Sequence, residues 1–469
     1  MRALIFTWSV PAVLAALGAG AFAAWLVRSA PPGLALRVPG MDSPSGGADL
    51  HDLPAPARGT LARSDGLPAD GIAGSWPCFR GEAFDNISRD PTPLARSWGE
   101  LGPPVLWSVE LGEGYAGPAV RAGRVYVLDY DAEKKMDALR CLSLADGREI
   151  WRYSYPVLVK RNHGMSRTVP AVTDEFVVSL GPKCHVTCLD ARTGEFRWGL
   201  DLVKSFGTTV PPWYAGQCPL VENGRAIIAP GGSSLLVALS LRTGEPIWKS
   251  PNPRGWAMSH ASVMPMDLHG RRTYVYCASG GVAGVSAEDG SILWETDAWK
   301  INIATVVMPL DIGDGRLFFS GGYNSGCMML RLRPEGGRYV PEILWRQKHQ
   351  VFGSEQHTPV LFEGHIYGVR PNGELVCLDL DGNVRWTSGT RRFEKGYGPW
   401  LIAQGMLYVM DGDGMLALAE ASPAAYRELA RARVLQGHES WAPMALVAGR
   451  LLVRDLTRMV CLDVSARKD

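Results

Sequence analysis

The chain has 469 residues, 20% of them charged, and a formal net charge of +1. That balance leaves no electrostatic footprint for nucleic acid, and the length is ample for a large core. Sixteen tryptophans and 54 glycines point to a turn-rich β protein docked by aromatic plates.

Residues 3–27 carry no charge, with Arg2 before them and Arg28 after. A helix of about 20 apolar residues crosses a bilayer, and this stretch exceeds a usual signal-peptide core. Residues 1–28 are therefore expected to be a single-pass transmembrane anchor, with the Ala-rich run at 19–24 keeping cleavage as a signal open. Residues 29–75, rich in Pro, Gly and Ala, read as a disordered tether. The folded domain is expected over 76–469.

From there tryptophan closes one short segment after another, at Trp107, Trp151, Trp198, Trp248, Trp294, Trp345 and Trp386. The steps are 44, 47, 50, 46, 51 and 41 residues, a period that signals a radial or stacked array. Each unit holds an apolar run such as 124–128, a Leu-x-Leu run, an Asp-Gly or Thr-Gly pair and a strand ending in Trp. The glycine supplies the positive φ of a tight hairpin. A four-stranded sheet of this size cannot bury both faces alone, so the units must pack face to face around an axis. The seven Trp residues then dock blade on blade, with an indole N–H that can reach the neighbour's backbone.

Full units run over 117–151, 169–198, 217–248, 260–294, 306–345, 357–386 and 398–435. Left over are a Trp strand at 105–111 and inner strands at 444–463, which complement each other. The expected fold is all-β: an eight-bladed propeller of four-stranded antiparallel blades, closed by strands from both termini. In the seventh unit Ser422 and Pro423 are placed to start a short helix.

The segments leading into each inner strand should converge on one mouth of the channel. They bring Tyr115, Arg167, Trp213, Tyr214, Gln217, Trp256, His260, Asn302, Gln356, His357, Tyr397, Trp400 and Trp441. Aromatic faces beside Arg, His and amides suit a flat, anionic or sugar-like ligand or a protein partner; the same groups can also satisfy backbone at strand starts. Asp129, Asp131 and Asp137 crowd one loop without calcium-loop spacing, and Asp411-Gly-Asp-Gly414 reads as a hairpin turn. Neither is taken as a metal site. Nine cysteines form no zinc spacing. Cys141, Cys188, Cys377 and Cys461 recur at one repeat position, which favours buried core residues. Cys184 and Cys188 are placed on one strand, about 13 Å apart and too far for a disulfide.

The repeat ending, Ala-x-Asp-x-x-Thr-Gly-x-x-x-Trp in loose form, resembles the tryptophan-docking motif of the pyrroloquinoline-quinone (PQQ) propeller superfamily. The opening Trp76-Pro-Cys-Phe-Arg-Gly81 is similar to that of PQQ-like repeat proteins of bacterial envelopes, and the resemblance covers about 76–464. It implies the propeller and admits two kinds of function. One branch holds quinoprotein alcohol dehydrogenases with PQQ and Ca²⁺ on the axis; another holds a non-catalytic outer-membrane assembly lipoprotein. The enzymes' adjacent cysteine pair does not occur here, and their calcium and base positions find no match. The expectation is a non-catalytic binding or assembly module, monomeric, anchored and facing the periplasm, with no cofactor. Its partner is an envelope protein or glycan. A PQQ- and Ca-dependent oxidoreductase and recognition of envelope polysaccharide are the alternatives.

Overall fold

The computed structural model describes residues 13–25, 56, 59–393 and 397–466. The chain divides into two compact units, Met1–Met41 and Asp42–Asp469. In the first, residues 13–25 form a helix whose side chains are all exposed. No helix among the described residues is long and apolar enough to cross a membrane. The expected transmembrane helix is thus unsupported at that length, and residues 3–12 and 26–27 lie outside the described residues.

The second unit is eight antiparallel sheets of four strands, two of which gain a fifth. In seven blades an inner hairpin leads outward to the Trp strand; in the other the outer strand is Glu428–Arg433, which carries no Trp. The first runs from Ala119–Arg121 through Arg124–Asp131 and Met136–Ser143 to Glu149–Pro156. Inner hairpins turn on two residues with positive φ, as at Asn223 (49°) and Gly224 (70°), the mirror-image turn whose twist matches the strands. The eighth sheet takes its Trp strand, Val105–Glu110, from the N-terminal side, pairing it with Arg458–Asp463.

Blade docking follows from three residues. The Trp faces a small residue on the neighbouring strand: Cys188 opposite Trp198, Ala238 opposite Trp248, Gly284 opposite Trp294. At Trp107, Trp151, Trp198, Trp248 and Trp345 the ring then lies on the turn glycine of the next blade. A Cβ on Gly147 would stand 2.6 Å from the Trp107 ring, and one on Gly244 2.6 Å from Trp198. Glycine is required there twice over, for its positive φ and for this approach. Finally the indole N–H donates across the gap: Trp107 to Leu144 O (3.0 Å), Trp198 to Leu241 O (2.8 Å), Trp248 to Ala287 O (3.2 Å), Trp345 to Leu380 O (3.1 Å) and Trp386 to Ser422 O (2.8 Å). Trp151 and Trp294 dock without it. The carbonyls at the equivalent places, Ala191 and Leu332, bond the Tyr126 hydroxyl and the His269 ring instead.

Three local expectations are corrected. Thr60–Arg63, inside the supposed tether, adds an antiparallel edge strand to the first blade. No helix forms at Ser422–Pro423; the Ser422 carbonyl is the acceptor for Trp386. Cys184 sits in a left-handed turn (φ 67°) just before the strand His185–Asp190 that holds Cys188. All nine cysteines are free and buried.

Residues 76–90 form a plug across the axis. Trp76 exchanges backbone bonds with Val120 of the first blade (both 2.8 Å), and the Pro77 carbonyl takes Val172 N–H of the second. On the far side Arg80 donates to Thr358 O (3.1 Å) and Pro359 O (3.2 Å) at the sixth blade. Ile87–Ser88 runs parallel to the inner strand Trp400–Ala403 of the seventh. Asp90 accepts from Ala448 N–H of the eighth at 2.7 Å. Arg80, 2% exposed, gives Nε to Phe84 O at 2.8 Å, so each of its three guanidinium nitrogens donates to a backbone carbonyl.

Trp198→Phe removes an indole bond that is made, and should lower stability by about 1–2 kcal/mol more than Trp151→Phe, which removes none. Urea melts of the two variants measure this; equal losses would mean that docking rests on the ring alone.

Candidate functional site

A cavity of about 360 Å³ opens at one end of the axis. Its floor includes Phe79 of the plug together with Cys218, Ser262 and Val306, and its rim is built from the segments leading into the blades. The rim backbone is strained. His163 (φ 52°), Trp213 (62°), Tyr214 (69°), Tyr323 (53°) and Glu439 (56°) all sit in the left-handed region, which bulky side chains avoid. Such strain persists where surrounding structure imposes it and is concentrated at binding sites.

Eight of the thirteen expected residues line this cavity: Tyr115, Arg167, Trp213, His260, Gln356, His357, Tyr397 and Trp441. Tyr115 stacks on Trp441 (5.2 Å between centroids, 26°) and donates its hydroxyl to Glu439 at 2.8 Å. Arg167 lies over the Tyr115 ring at 5.2 Å. Tyr397 meets Trp441 edge-on at 5.1 Å and 76°. Trp213 stands 6.4 Å from His260, tilted at 50°.

The other five serve the scaffold or lie away from the cavity. The Gln217 amide, fully buried, clamps both backbone groups of Ala229 (3.1 and 2.8 Å). The Tyr214 hydroxyl bonds both backbone groups of Lys160. Trp256 is buried beneath Gly280 and Gly281. Trp400 is buried at the start of its strand, edge-on to His357 at 5.6 Å. Asn302 is exposed and does not line the cavity. The sequence reading missed Phe79, His163 and Tyr323. The Trp-Pro-Cys-Phe-Arg-Gly run offered a signal for the first, since an Arg-bearing motif before the repeats had no blade to belong to.

Burial shapes the electrostatics. It lowers His260 to about 4, with the Arg167 charge adding to the effect, and His357 likewise to about 4. Both imidazoles are neutral at pH 7, and His357 Nε2 contacts Trp441 O at 3.0 Å. Arg167 falls to about 10 through desolvation and stays charged. Its Nη2 is shared among the carbonyls of Asn162, His163 and Gly164 (3.0, 3.0 and 3.1 Å). No carboxylate among the described residues forms an ion pair with it, and Nε is buried without a partner.

The three acids of the first blade go to separate uses. Asp129 pairs with Arg140 at 3.0 Å and takes Gly112 N–H at 2.6 Å. Asp131 caps a turn and pairs with Lys134. Asp137 is buried, with Tyr155 OH on Oδ2 at 2.8 Å and no partner on Oδ1. Asp411 caps its own hairpin, accepting from Asp413 and Met415 N–H. No three His, Cys, Asp or Glu side chains converge as a metal site among the described residues. Among the described residues no carboxylate lines the cavity to hold a calcium ion, and Arg167 is the one guanidinium on its lining.

A family model described as outer membrane protein assembly factor BamB matches residues 135–338 and 341–441. A relative of that description from Yersinia pestis is 22% identical over 371 residues, covering 75% of this chain and 86% of its own. Among solved structures, BamB from Moraxella catarrhalis superposes with a TM-score of 0.52 at 15% identity, over 77% of this chain and 99% of that one. Quinohemoprotein alcohol dehydrogenase from Comamonas testosteroni gives 0.51 at 13% identity, over 84% and 81%. These structural likenesses are of fold.

Burial, opposed by the Tyr155 hydrogen bond, raises Asp137 from 3.8 to about 7. Its folded value exceeds its unfolded one, so its contribution is full below about pH 4 and is lost as pH rises through 7. Asp137→Asn should match the parent near pH 4 and exceed it above pH 8 by up to about 4 kcal/mol. Thermal melts across pH check this; parallel profiles would count against it. The depressed histidines act with the opposite sign, their contribution present above about pH 6.5 and lost toward pH 4.

Proposed function

Because the chain belongs to the PQQ-like propeller family described as outer membrane protein assembly factor BamB, we propose that it is a non-catalytic binding module of the bacterial envelope. Its work is to hold a partner of outer-membrane protein assembly against the channel mouth. The observation that carries this reading is the strained aromatic rim, which presents half-buried rings on rigid backbone, the composition and pre-organisation of a contact hot spot. The sheet built from both chain ends is read as the closure that keeps this rim rigid. The apolar N-terminal segment, as anchor or signal, directs the propeller to the periplasmic side.

Photo-cross-linkers placed at Trp213 on the rim and at Ile247, exposed on an outer strand, test this in cells making the full chain. The expected result is a cross-link to an outer-membrane assembly protein from position 213 and none from 247. Equal capture from both positions, or purified protein that retains stoichiometric quinone, would overturn the proposal.

A further inference from the structure

The seventh blade has no docking tryptophan; its outer strand holds Ala430 at that place. Strand register locates the gap. Tyr126, Cys141 and Trp151 lie abreast in the first blade, as Tyr367, Cys377 and Trp386 do in the sixth. The two rings of each row stand 6.0 Å apart, at 56° and 50°. In the seventh blade the same row reads Tyr408, Leu418, Ala430.

Trp98 stands beside Tyr408 instead. Its ring lies 6.4 Å away at 45°, close to the geometry of the in-blade pairs. The chain just beyond it passes so near the outer strand that a side chain on Gly102 would strike Ala432. The polar half of the dock is replaced as well. In the first and third blades the carbonyl that takes the indole N–H belongs to Leu144 or Leu241, whose own N–H bonds the inner-hairpin Gly123 or Gly224. In the eighth blade the equivalent residue is Val464, bonded to Gly449 O at 2.8 Å. Its carbonyl takes Ala95 N–H at 2.9 Å, while the Trp98 indole N–H makes no bond. The segment is pinned on both sides of the joint. Leu94 N–H meets Gln404 Oε1 (3.1 Å) and Arg96 pairs with Glu420 (3.2 Å) in the seventh blade; Pro93 O takes Ala466 N–H (2.8 Å) just past the last strand of the eighth.

We infer that residues 93–98 are a latch. Trp98 and the Ala95 N–H together stand in for the missing tryptophan, so the joint between the seventh and eighth blades shuts only when this N-terminal segment is seated. A blade buries its apolar face only against a neighbour, and here neither blade carries the docking ring, which makes this joint the place where the ring of blades opens. The linker that crosses it brings Glu439 and Trp441 to the mouth, so the latch also holds that side of the rim.

Hydrogen exchange of the full chain, read by mass spectrometry, tests the latch. Trp98→Ala should speed exchange in Met406–Met410 and Arg450–Arg454 by at least about tenfold, the scale of a lost buried ring, and leave Arg225–Ile228 of the third blade within about twofold. Trp198→Ala should do the reverse, speeding the third-blade strand and sparing the other two. Ala430→Trp separates a stand-in from any other apolar contact. Added to Trp98→Ala, it should bring both segments back to within about threefold of the parent rates; alone it should speed them, because two rings then compete for one place. Unchanged exchange of these segments in Trp98→Ala, acceleration spread evenly over all blades, or no recovery on adding Ala430→Trp would overturn the inference. Should Trp98→Ala fail to fold, return of folded protein in the double variant supports the latch, and its absence overturns it.

Discussion

The contact that recurs most around the molecule is the flat of a tryptophan laid on the turn glycine of the next blade, made by five of the seven repeat tryptophans. Five of the seven also give their indole N–H to a carbonyl of that blade. Each blade thereby exposes one hydrophobic face to a neighbour that supplies the matching surface. A ring of such units is stable only when every neighbour is present. Where Tyr126 takes the acceptor carbonyl, the Trp151 ring still lies on Gly194 without the hydrogen bond. Apolar area and close approach therefore carry the docking, and the N–H adds register.

A rigid ring leaves its chemistry to the parts that are not repeated. The plug satisfies inner-strand backbone with its own peptide groups and the Arg80 guanidinium, and brings Phe79 to the cavity lining. The rim then concentrates what the blades avoid, namely left-handed aromatic residues, neutral histidines and a guanidinium without a carboxylate. Irregular backbone is tolerable here because the inner strands beneath it are fixed on both sides.

The repeat grammar made the propeller legible, since Trp, the small residue opposite it and the Gly turn are each dictated by one local contact. The site was legible only in part, because position along the chain reveals which segments reach the mouth and not which way a side chain turns. Gln217 precedes an inner strand just as His260 and His357 do, and Trp400 starts one, but neither Gln217 nor Trp400 lines the cavity and both are buried. Phe79 was marked only by its motif, because it lies before the first blade and reaches the pocket through long-range folding. The edge strand Thr60–Arg63 was hidden by composition, for its affinity lies in backbone pairing rather than in side chains.

The eighth blade and the plug together impose an order of events. Ser108 bonds Arg458 across 350 residues, and Asp90 bonds Ala448 across 358. Strands that must wait for partners so distant make folding slow and leave sticky edges exposed meanwhile. The sheet that pairs Val105–Glu110 with Arg458–Asp463 forms only once both segments are present. Nine thiols that end up buried are bare throughout that wait. In an oxidising compartment those thiols are open to oxidation and mispairing until the final sheet forms, so burial of the cysteines depends on a pairing that spans most of the chain.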